Sequence, residues 1–313
     1  MAHQGRATVK EYLAENHQTE KDLISIIICS RTASLSAELE KNISDTIGVT
    51  YEIVLINNEG NSYNIFEAYN LGVQQSKYPV LCFMHDDIAY HTFNWGQMVL
   101  KHFEVDQAGA IGIAGTPYAA WMPGSWWGGG VVNQYILPTK SDQPDKIKIA
   151  EPANNRNEVV LLDGVWMCIR RSLFEIIKFD EHTYTGFHFY DADICMQING
   201  TGYKLYSVFD ILIAHFTKGR MDKSWCENAM AFNTKWKKDL PVSVIKLSQR
   251  QQFDAELKTL KEYIYNLIYN GYTHRAAYTM AIAKLFSFRK GMFYQKTLEH
   301  LIKYCYKWLI KYP

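Results

Sequence analysis

Three short apolar runs, rich in β-branched residues, dominate the N-terminal third of the chain at residues 23–29, 51–56 and 80–84. Runs of this length and composition are typical of parallel strands that are buried on both faces. Helix-compatible sequence separates them, and a helix near residues 93–103 and a strand at 110–114 continue the alternation. The pattern predicts an α/β fold with a doubly wound, mostly parallel sheet.

A polar cluster follows each of the three runs, at residues 30–32, 57–59 and 85–87. In doubly wound sheets, ligands bind in the crevice beyond the carboxyl ends of the strands. Because parallel strands end at the same edge of a sheet, we expect the three clusters to lie side by side. The sequence therefore predicts a binding site at this edge.

The bulk composition excludes several other classes of protein. A net charge of +1 argues against nucleic acid as the main partner. The first twenty residues lack an apolar signal core, and no run of apolar residues is long enough to span a bilayer. The six cysteines form no CxxC pair, which favours buried, reduced thiols. The expected compartment is the cytoplasm.

The chain divides into three parts on composition. Residues 1–22 are a polar lead-in, residues 23–223 carry the α/β pattern, and residues 224–313 read as a helical C-terminal appendage. From residue 245 onward there are 12 Lys and Arg against 4 Asp and Glu, interleaved with aromatic residues. Such helices can lie on an anionic membrane surface, or can pack on the α/β domain or on a second subunit. Both interpretations stay open.

The cluster His85, Asp86 and Asp87 is the strongest chemical signal. Adjacent carboxylates at a strand end repel each other unless a cation or solvent relieves the repulsion. Mg²⁺ and Mn²⁺ prefer one or two carboxylates together with substrate phosphate oxygens. The structural alternative is a solvated turn or a helix cap.

Two further acidic residues and one histidine accompany this cluster. Asp191 and Asp193 open a predicted helix, where carboxylates are stabilised by free amide groups; one of them can instead face a cleft as a general base. His215 ends a predicted apolar strand, where a structural role competes with metal ligation.

The segment 121–130 is rich in tryptophan and glycine and includes Trp126 and Trp127. Indole rings suit stacking on the apolar face of a sugar, and glycines allow a loop to move. The alternative is that these rings fill the core.

Taken in order, these pieces resemble the family 2 glycosyltransferases, which have the GT-A fold, over residues 23–216. The resemblance rests on the strand 25–32, the strand 51–58, the helix segment 68–72, the motif His85-Asp86-Asp87, and the segments 162–171 and 189–193. The likeness is greatest to a bacterial subgroup with His in the metal motif.

The resemblance implies roles for individual residues. Residues that would bind the nucleotide sugar are Ser30, Arg31, Asn57, Asn58, Asn70, His85 and Asp86. Asp87 and His215 would hold Mn²⁺ or Mg²⁺, and Asp191 would be the catalytic base. The acceptor-side candidates are Trp126, Trp127, Asp163, Trp166 and Asp193.

The implied activity is inverting transfer of a sugar from a nucleotide-diphosphate donor, with UDP favoured, to a hydroxyl of a glycan or lipid-linked acceptor. Polysaccharide or glycoconjugate synthesis at the inner face of the plasma membrane would suit it. The main alternative is a catalytically degraded transferase that acts as a carbohydrate-binding or scaffold module. A sugar nucleotidyltransferase is disfavoured because residues 29–34 contain no glycine-rich phosphate loop.

Overall fold

The computed structural model describes residues 23–128, 133–134, 136–137, 155–216, 219 and 221–288. The strands are β1 Leu23–Ser30, β2 Thr50–Asn57, β3 Val80–Met84, β4 Ile88–Tyr90, β5 Ala108–Gly112, β6 Ala114–Thr116, β7 Tyr118–Ala119, β8 Asn133–Gln134, β9 Ile136–Leu137, β10 Arg156–Val159, β11 Leu161–Leu162, β12 Trp166–Arg170, β13 Lys204–Val208, β14 Ile213–His215 and β15 Val242–Ser243. The helices are α1 Ala37–Thr46, α2 Ile65–Gln75, α3 Trp95–Phe103, α4 Tyr190–Gly200, α5 Lys223–Trp236, α6 Gln249–Tyr269 and α7 Arg275–Ser287, with a 3₁₀ turn at Arg171–Glu175. The lead-in 1–22 and the end of the basic region, 289–313, lie outside the described residues.

The main sheet has seven strands in the order β10-β13-β5-β12-β3-β1-β2. Five of them run in one direction, whereas β12 and β10 run in the other, because β12 is antiparallel to both β3 and β5 and β10 is antiparallel to β13. Smaller sheets join β11-β6-β8, β4-β14-β9 and β15-β7. The predicted mostly parallel sheet is confirmed.

Apolar side chains cover both faces of this sheet. On β1, Ile27 packs into a cluster that contains Phe66 and Tyr69 of α2. Ile26, its neighbour, points to the opposite face and joins a second cluster that contains Trp95 of α3. Helices therefore lie on both faces, as the continuous apolar runs predicted, and the α/β class is confirmed.

The C-terminal helices pack against the same core as the sheet. Tyr263 and Leu267 of α6 and Ala277 of α7 are fully buried, in the cluster that contains α2 and α4. Within the described residues, no helix combines the length and apolarity needed to cross a bilayer. The described part of the predicted appendage is thus joined to the α/β core through shared buried side chains.

Candidate active site

The antiparallel strand β12 brings two loops together at the carboxyl edge of the sheet. β3 ends at Met84, which lies opposite Trp166, the first residue of β12. The amide of His85 donates to the carbonyl of Val165 at 3.1 Å. Because β12 runs against its neighbours, the residues before it, and not those after it, face the His85–Asp87 turn.

His85, Asp87 and His215 form a cluster in which one ligand atom from each lies within 4.8 Å of the others. β14 delivers His215 by pairing with β4, with His215 opposite Ile88. Asp87 Oδ1 lies 3.3 Å from His215 Nε2 and 3.8 Å from His85 Nδ1. The predicted metal ligands Asp87 and His215 are therefore adjacent, and His85 joins them.

The hydroxyl group of Tyr190 determines which ring nitrogen of His85 carries the proton. Tyr190 donates to the carbonyl of Gly164 at 3.0 Å, so its oxygen accepts from His85 Nε2 at 3.1 Å. That arrangement places the proton on Nε2 and leaves the lone pair of Nδ1 facing Asp87. Burial also lowers the pKa of His85, which favours the neutral ring that a metal requires.

The donor set fits a divalent ion. His215 Nε2 is buried and has no hydrogen-bond partner among the described residues, although Asp87 is close. A buried polar atom without a partner is costly, and a metal at this point would satisfy it. Two imidazoles and one carboxylate suit Mn²⁺ and other transition metals better than Mg²⁺, which prefers oxygen ligands.

Asp191 is a largely buried carboxylate at the start of α4. Its Oδ2 accepts from the amide of Gly164 at 3.1 Å and its Oδ1 from that of Ala192 at 2.8 Å. Burial, reinforced by the nearby charge of Asp163, raises the pKa of Asp191 to about 7. A carboxylate with this pKa is suited to accept a proton near neutral pH.

Asp163 connects Asp191 to the tryptophan-rich segment. Its Oδ2 accepts from Trp126 Nε1 at 2.8 Å, and its Oδ1 accepts from the amide of Val165 at 3.0 Å. The predicted acceptor-side residues Trp126 and Asp163 therefore contact each other directly.

A single cavity of about 450 Å³ joins these groups. His85 and His215 of the metal cluster line it together with Asp163 and Asp191. Its remaining described lining residues are Gly124, Ser125, Trp126, Trp127, Leu161, Leu162, Phe187, His188, Phe189, Tyr190, Ala192, Gly219, Met221 and Trp225. Polar and titratable groups thus converge in an apolar pocket, which is the ordinary form of an active site.

Some of the predicted nucleotide-sugar residues lie at the ends of the parallel strands. Ser30 is buried and donates to Asp86 Oδ2 at 2.6 Å, and in the β1–β2 pair it lies opposite Asn57. Arg31 and Asn57 are exposed. These four residues form a polar edge beyond β1, β2 and β3, at the position where the sequence predicts a ligand site.

Asn58 and Asn70 are occupied elsewhere and do not line the cavity. Asn58 holds its own loop, because its side chain bonds both the amide and the carbonyl of Tyr63. Asn70 ties α2 to Phe179 and Glu181 through bonds of 2.7–3.1 Å. Both side chains thus support the scaffold, and their contact with a nucleotide sugar stays a prediction.

Trp166 and Asp193 also lie away from the cavity, contrary to the acceptor-side expectation. Trp166 is fully buried and donates to the hydroxyl of Tyr90 at 2.8 Å. Asp193 is 1% exposed and accepts from Tyr184 and Trp236. Residues two positions apart on a helix point in nearly opposite directions, so Asp193 faces the core while Asp191 faces the cavity.

Three residues of the site gave no chemical signal in the sequence. Tyr190 stands in an aromatic stretch that is typical of a core, and Phe187 and His188 lie in the same stretch. Phe187 packs against the ring of His85 with centroids 5.6 Å apart, and His188 lies 3.8 Å from Asp222. Their proximity to the motif 191–193 was the only signal that could have identified them.

Residues 25–244 match the model of the glycosyltransferase-like family. The chain therefore belongs to this family and is a glycosyltransferase-type protein. The resemblance drawn from the sequence motifs is confirmed.

The individual proteins that this chain resembles share little sequence identity with it. The streptomycin biosynthesis protein StrF of Streptomyces griseus is 26% identical over 181 residues, which are 55% of this chain and 61% of that protein. The chain thus matches about three fifths of the length of this curated relative. Among solved structures, GalNAc-T7 with UDP, GalNAc and Mn²⁺ aligns with a TM-score of 0.49 at 13% identity, over 80% of this chain and 56% of that one. A197 from STIV aligns with a TM-score of 0.37 at 15% identity, over 63% and 86%.

Proposed function

We propose that the protein is an inverting glycosyltransferase that moves a sugar from a nucleotide-diphosphate donor to an acceptor hydroxyl. The observation that carries the proposal is the shared cavity: His85 and His215 of the metal cluster line the same pocket as Asp191, a carboxylate with a raised pKa. Transfer to a hydroxyl needs both a means of stabilising a leaving diphosphate and a base.

Asp191 is the base in this proposal. Its Oδ atoms accept from two backbone amides, which fix the orientation of the carboxylate. It takes the proton of the acceptor hydroxyl, and that oxygen attacks the anomeric carbon from the face opposite the nucleotide. Burial, reinforced by the negative charge of Asp163, raises the pKa of Asp191 and so keeps its proton affinity high.

His85, Asp87 and His215 would hold the metal ion, with Mn²⁺ favoured over Mg²⁺ by the two imidazoles. When bound, such an ion supplies positive charge to the departing diphosphate. Tyr190 orients His85 for this role through the bond to Nε2.

The donor nucleotide is proposed to lie along the edge formed by Ser30, Arg31, Asn57 and Asp86. This edge is polar and partly exposed. It lies beside the metal cluster, because Asp86 stands between His85 and Asp87 in the sequence. UDP is the favoured nucleotide, since an Asn side chain can hydrogen-bond both the donor and acceptor groups of uracil.

The acceptor is proposed to be a glycan or a lipid-linked sugar in polysaccharide or glycoconjugate synthesis. Trp126 and Trp127 line the cavity on the side of Asp163 and offer aromatic surface to it. A cytoplasmic location, with the basic C-terminal region at the inner face of the plasma membrane, would suit a lipid-linked acceptor; packing as a homodimer is the alternative. Co-sedimentation with anionic liposomes at low salt tests this, and absence of binding excludes the membrane version.

Thermal unfolding with a panel of nucleotides and nucleotide sugars tests the main proposal. A ligand that binds only the folded state at 100 times its Kd adds about 2.7 kcal/mol to the free energy of unfolding. We expect a nucleoside diphosphate and its sugar conjugate to raise Tm only when Mn²⁺ or Mg²⁺ is present. If no nucleotide raises Tm, the transferase proposal fails. Stabilisation without donor turnover would favour the degraded, carbohydrate-binding alternative.

A further inference from the structure

The segment 118–128, here called the tryptophan segment, is held in place by helices that lie beyond the residues matched by the family model. That match ends at residue 244, whereas α6 begins at Gln249 and α7 at Arg275. Both helices therefore lie outside the matched residues, and their contacts with the segment fall into two groups.

The first group is centred on Glu256 of α6, which is 3% exposed. One of its oxygens accepts from the hydroxyl of Tyr118 at 2.6 Å and from the amide of Trp121 at 2.9 Å. Lys284 of α7 lies 2.8 Å from its other oxygen and also stands over the ring of Trp121. The N-terminal half of the segment is thus fixed by a buried ion pair.

The second group is centred on Glu262, two turns further along α6. Ser125 donates a short hydrogen bond to its Oε1. Its Oε2 is buried without a hydrogen-bond partner among the described residues. The same oxygen lies so close to Gly128 that a Cβ atom at this position would clash with it. The backbone of the segment therefore packs directly on α6, with Glu262 in contact on both sides of the tryptophan pair.

The far side of the segment reaches the catalytic groups. Trp126 donates to Asp163, and Trp127 stands perpendicular to Trp126 with ring centroids 5.3 Å apart. Trp127 lines the cavity and is still 48% exposed. An exposed, flat indole face at the mouth of the cavity suits stacking on a sugar ring.

We propose that Glu262 is a positioning residue for the acceptor: it fixes Ser125 from α6, so that Trp127 is held at the cavity as a stacking surface for an acceptor pyranose. The proposal rests on the function proposed above. Loss of this anchor loosens residues 125–128 and so weakens acceptor binding, whereas the donor edge and the metal cluster, which are built from other residues, keep their affinities.

Fluorine NMR tests this assignment. The protein is labelled with 5-fluorotryptophan, the resonance of Trp127 is assigned with Trp127→Phe, and methyl glycosides of glucose, galactose and N-acetylglucosamine are titrated in the presence of UDP and Mn²⁺. We expect at least one glycoside to shift the Trp127 resonance in the wild type. In Glu262→Ala its Kd should rise about tenfold, because loss of the charged hydrogen bond leaves the segment in its binding position in only about one molecule in ten.

Three matched variants complete the test. Glu262→Gln keeps an acceptor for Ser125 and should bind like the wild type, as should Asp254→Ala, which removes a half-exposed carboxylate from the same helix. Ser125→Ala removes the same hydrogen bond from the other side and replaces Glu262→Ala if that variant does not fold. A Trp127 resonance that no glycoside perturbs, or unchanged affinity in both Glu262→Ala and Ser125→Ala, would overturn the proposal. Stabilisation by UDP and Mn²⁺ is measured separately, so failure of the transferase proposal is recognised independently.

Discussion

At the scale of single residues, the site depends on hydrogen bonds that orient side chains before any ligand arrives. Tyr190 accepts from His85 and donates to Gly164, and Asp163 accepts from Trp126. Each bond fixes either a ring tautomer or a carboxylate. The chemistry of the cavity therefore depends on hydrogen bonds among its own lining residues as well as on contacts with substrate.

Tyr190→Phe should weaken Mn²⁺ binding by about 10–100-fold, because the proton of His85 loses the acceptor that holds it on Nε2. Titration of the protein with Mn²⁺, followed by electron paramagnetic resonance, measures the change. Tyr63→Phe, which removes a hydroxyl from a 40% exposed tyrosine, is the control and should bind normally. Equal affinities in the two variants would contradict the tautomer assignment.

Asp191→Asn should lower kcat by about 10²–10⁴-fold, since an amide cannot take the proton of the acceptor. Binding of UDP and Mn²⁺, measured by calorimetry, should change little because these groups are proposed to contact other residues. Asp45→Asn, on the exposed face of α1, is the matched control. Near-normal turnover in Asp191→Asn would remove this residue from the role of base.

The pH profile of kcat/KM follows from the same carboxylate. Burial raises the pKa of Asp191 to about 7, and only the ionised form accepts a proton. Activity should therefore be full above pH 8 and fall about tenfold for each unit of pH below 7. A profile that stays flat from pH 5.5 to 8 would exclude a base with this pKa.

At the scale of elements, a buried carboxylate joins the helix that carries the base to its neighbour. Asp193 of α4 accepts from Trp236 at 2.8 Å and pairs with Lys235 at 2.8 Å, both at the end of α5. Lys235 also reaches Asp180, 2.7 Å away. The orientation of α4, and so of Asp191, depends on this network.

Asp193→Asn should lower the free energy of unfolding by roughly 3 kcal/mol, because the lysine loses its buried partner but keeps the more exposed one. Urea denaturation measures this loss. The folded fraction should still bind UDP and Mn²⁺ with unchanged affinity. A variant of normal stability that has lost acceptor binding would instead restore Asp193 to the acceptor side.

At the scale of the whole molecule, one core serves both the sheet and the C-terminal helices. Leu260, Tyr263 and Leu267 of α6 are at most 1% exposed and pack in the cluster that also contains Phe66 and Ile194. Burial of such side chains contributes about 1.5–3 kcal/mol each. This sum is large compared with the total stability of an ordinary domain.

A chain truncated after residue 244, where the family match ends, should therefore fail to fold. Scanning calorimetry should show no cooperative transition for residues 1–244, with the full chain as the control. A stable truncated protein that still binds nucleotide would show that α6 and α7 are dispensable for the core.

The sequence predicted the sheet well, because strands such as 80–84 are buried on both faces and read as continuous apolar runs. The order of the motifs led to Asp87 and His215 as metal ligands and assigned His85 to the nucleotide sugar, whereas the structure places all three in one cluster. The sequence missed Tyr190 and Glu262, since a buried tyrosine and a helical glutamate read as core and as solvated surface. It placed Trp166 and Asp193 in the cavity because residue type does not reveal which face of a strand or helix turns inward.

The reversed direction of β12 determines how freely the stretch between β5 and β12 can change. Gly112 of β5 and Met167 of β12 lie in register, so the stretch between these strands starts and finishes at one edge of the sheet, although it also contributes β10 to the same sheet. A connection whose two ends lie close together can be lengthened or exchanged with little effect on the strands that flank it. Changes in this stretch, which carries Trp126, Trp127 and Asp163, should therefore alter the cavity while leaving the pairing of β1, β2 and β3 in place.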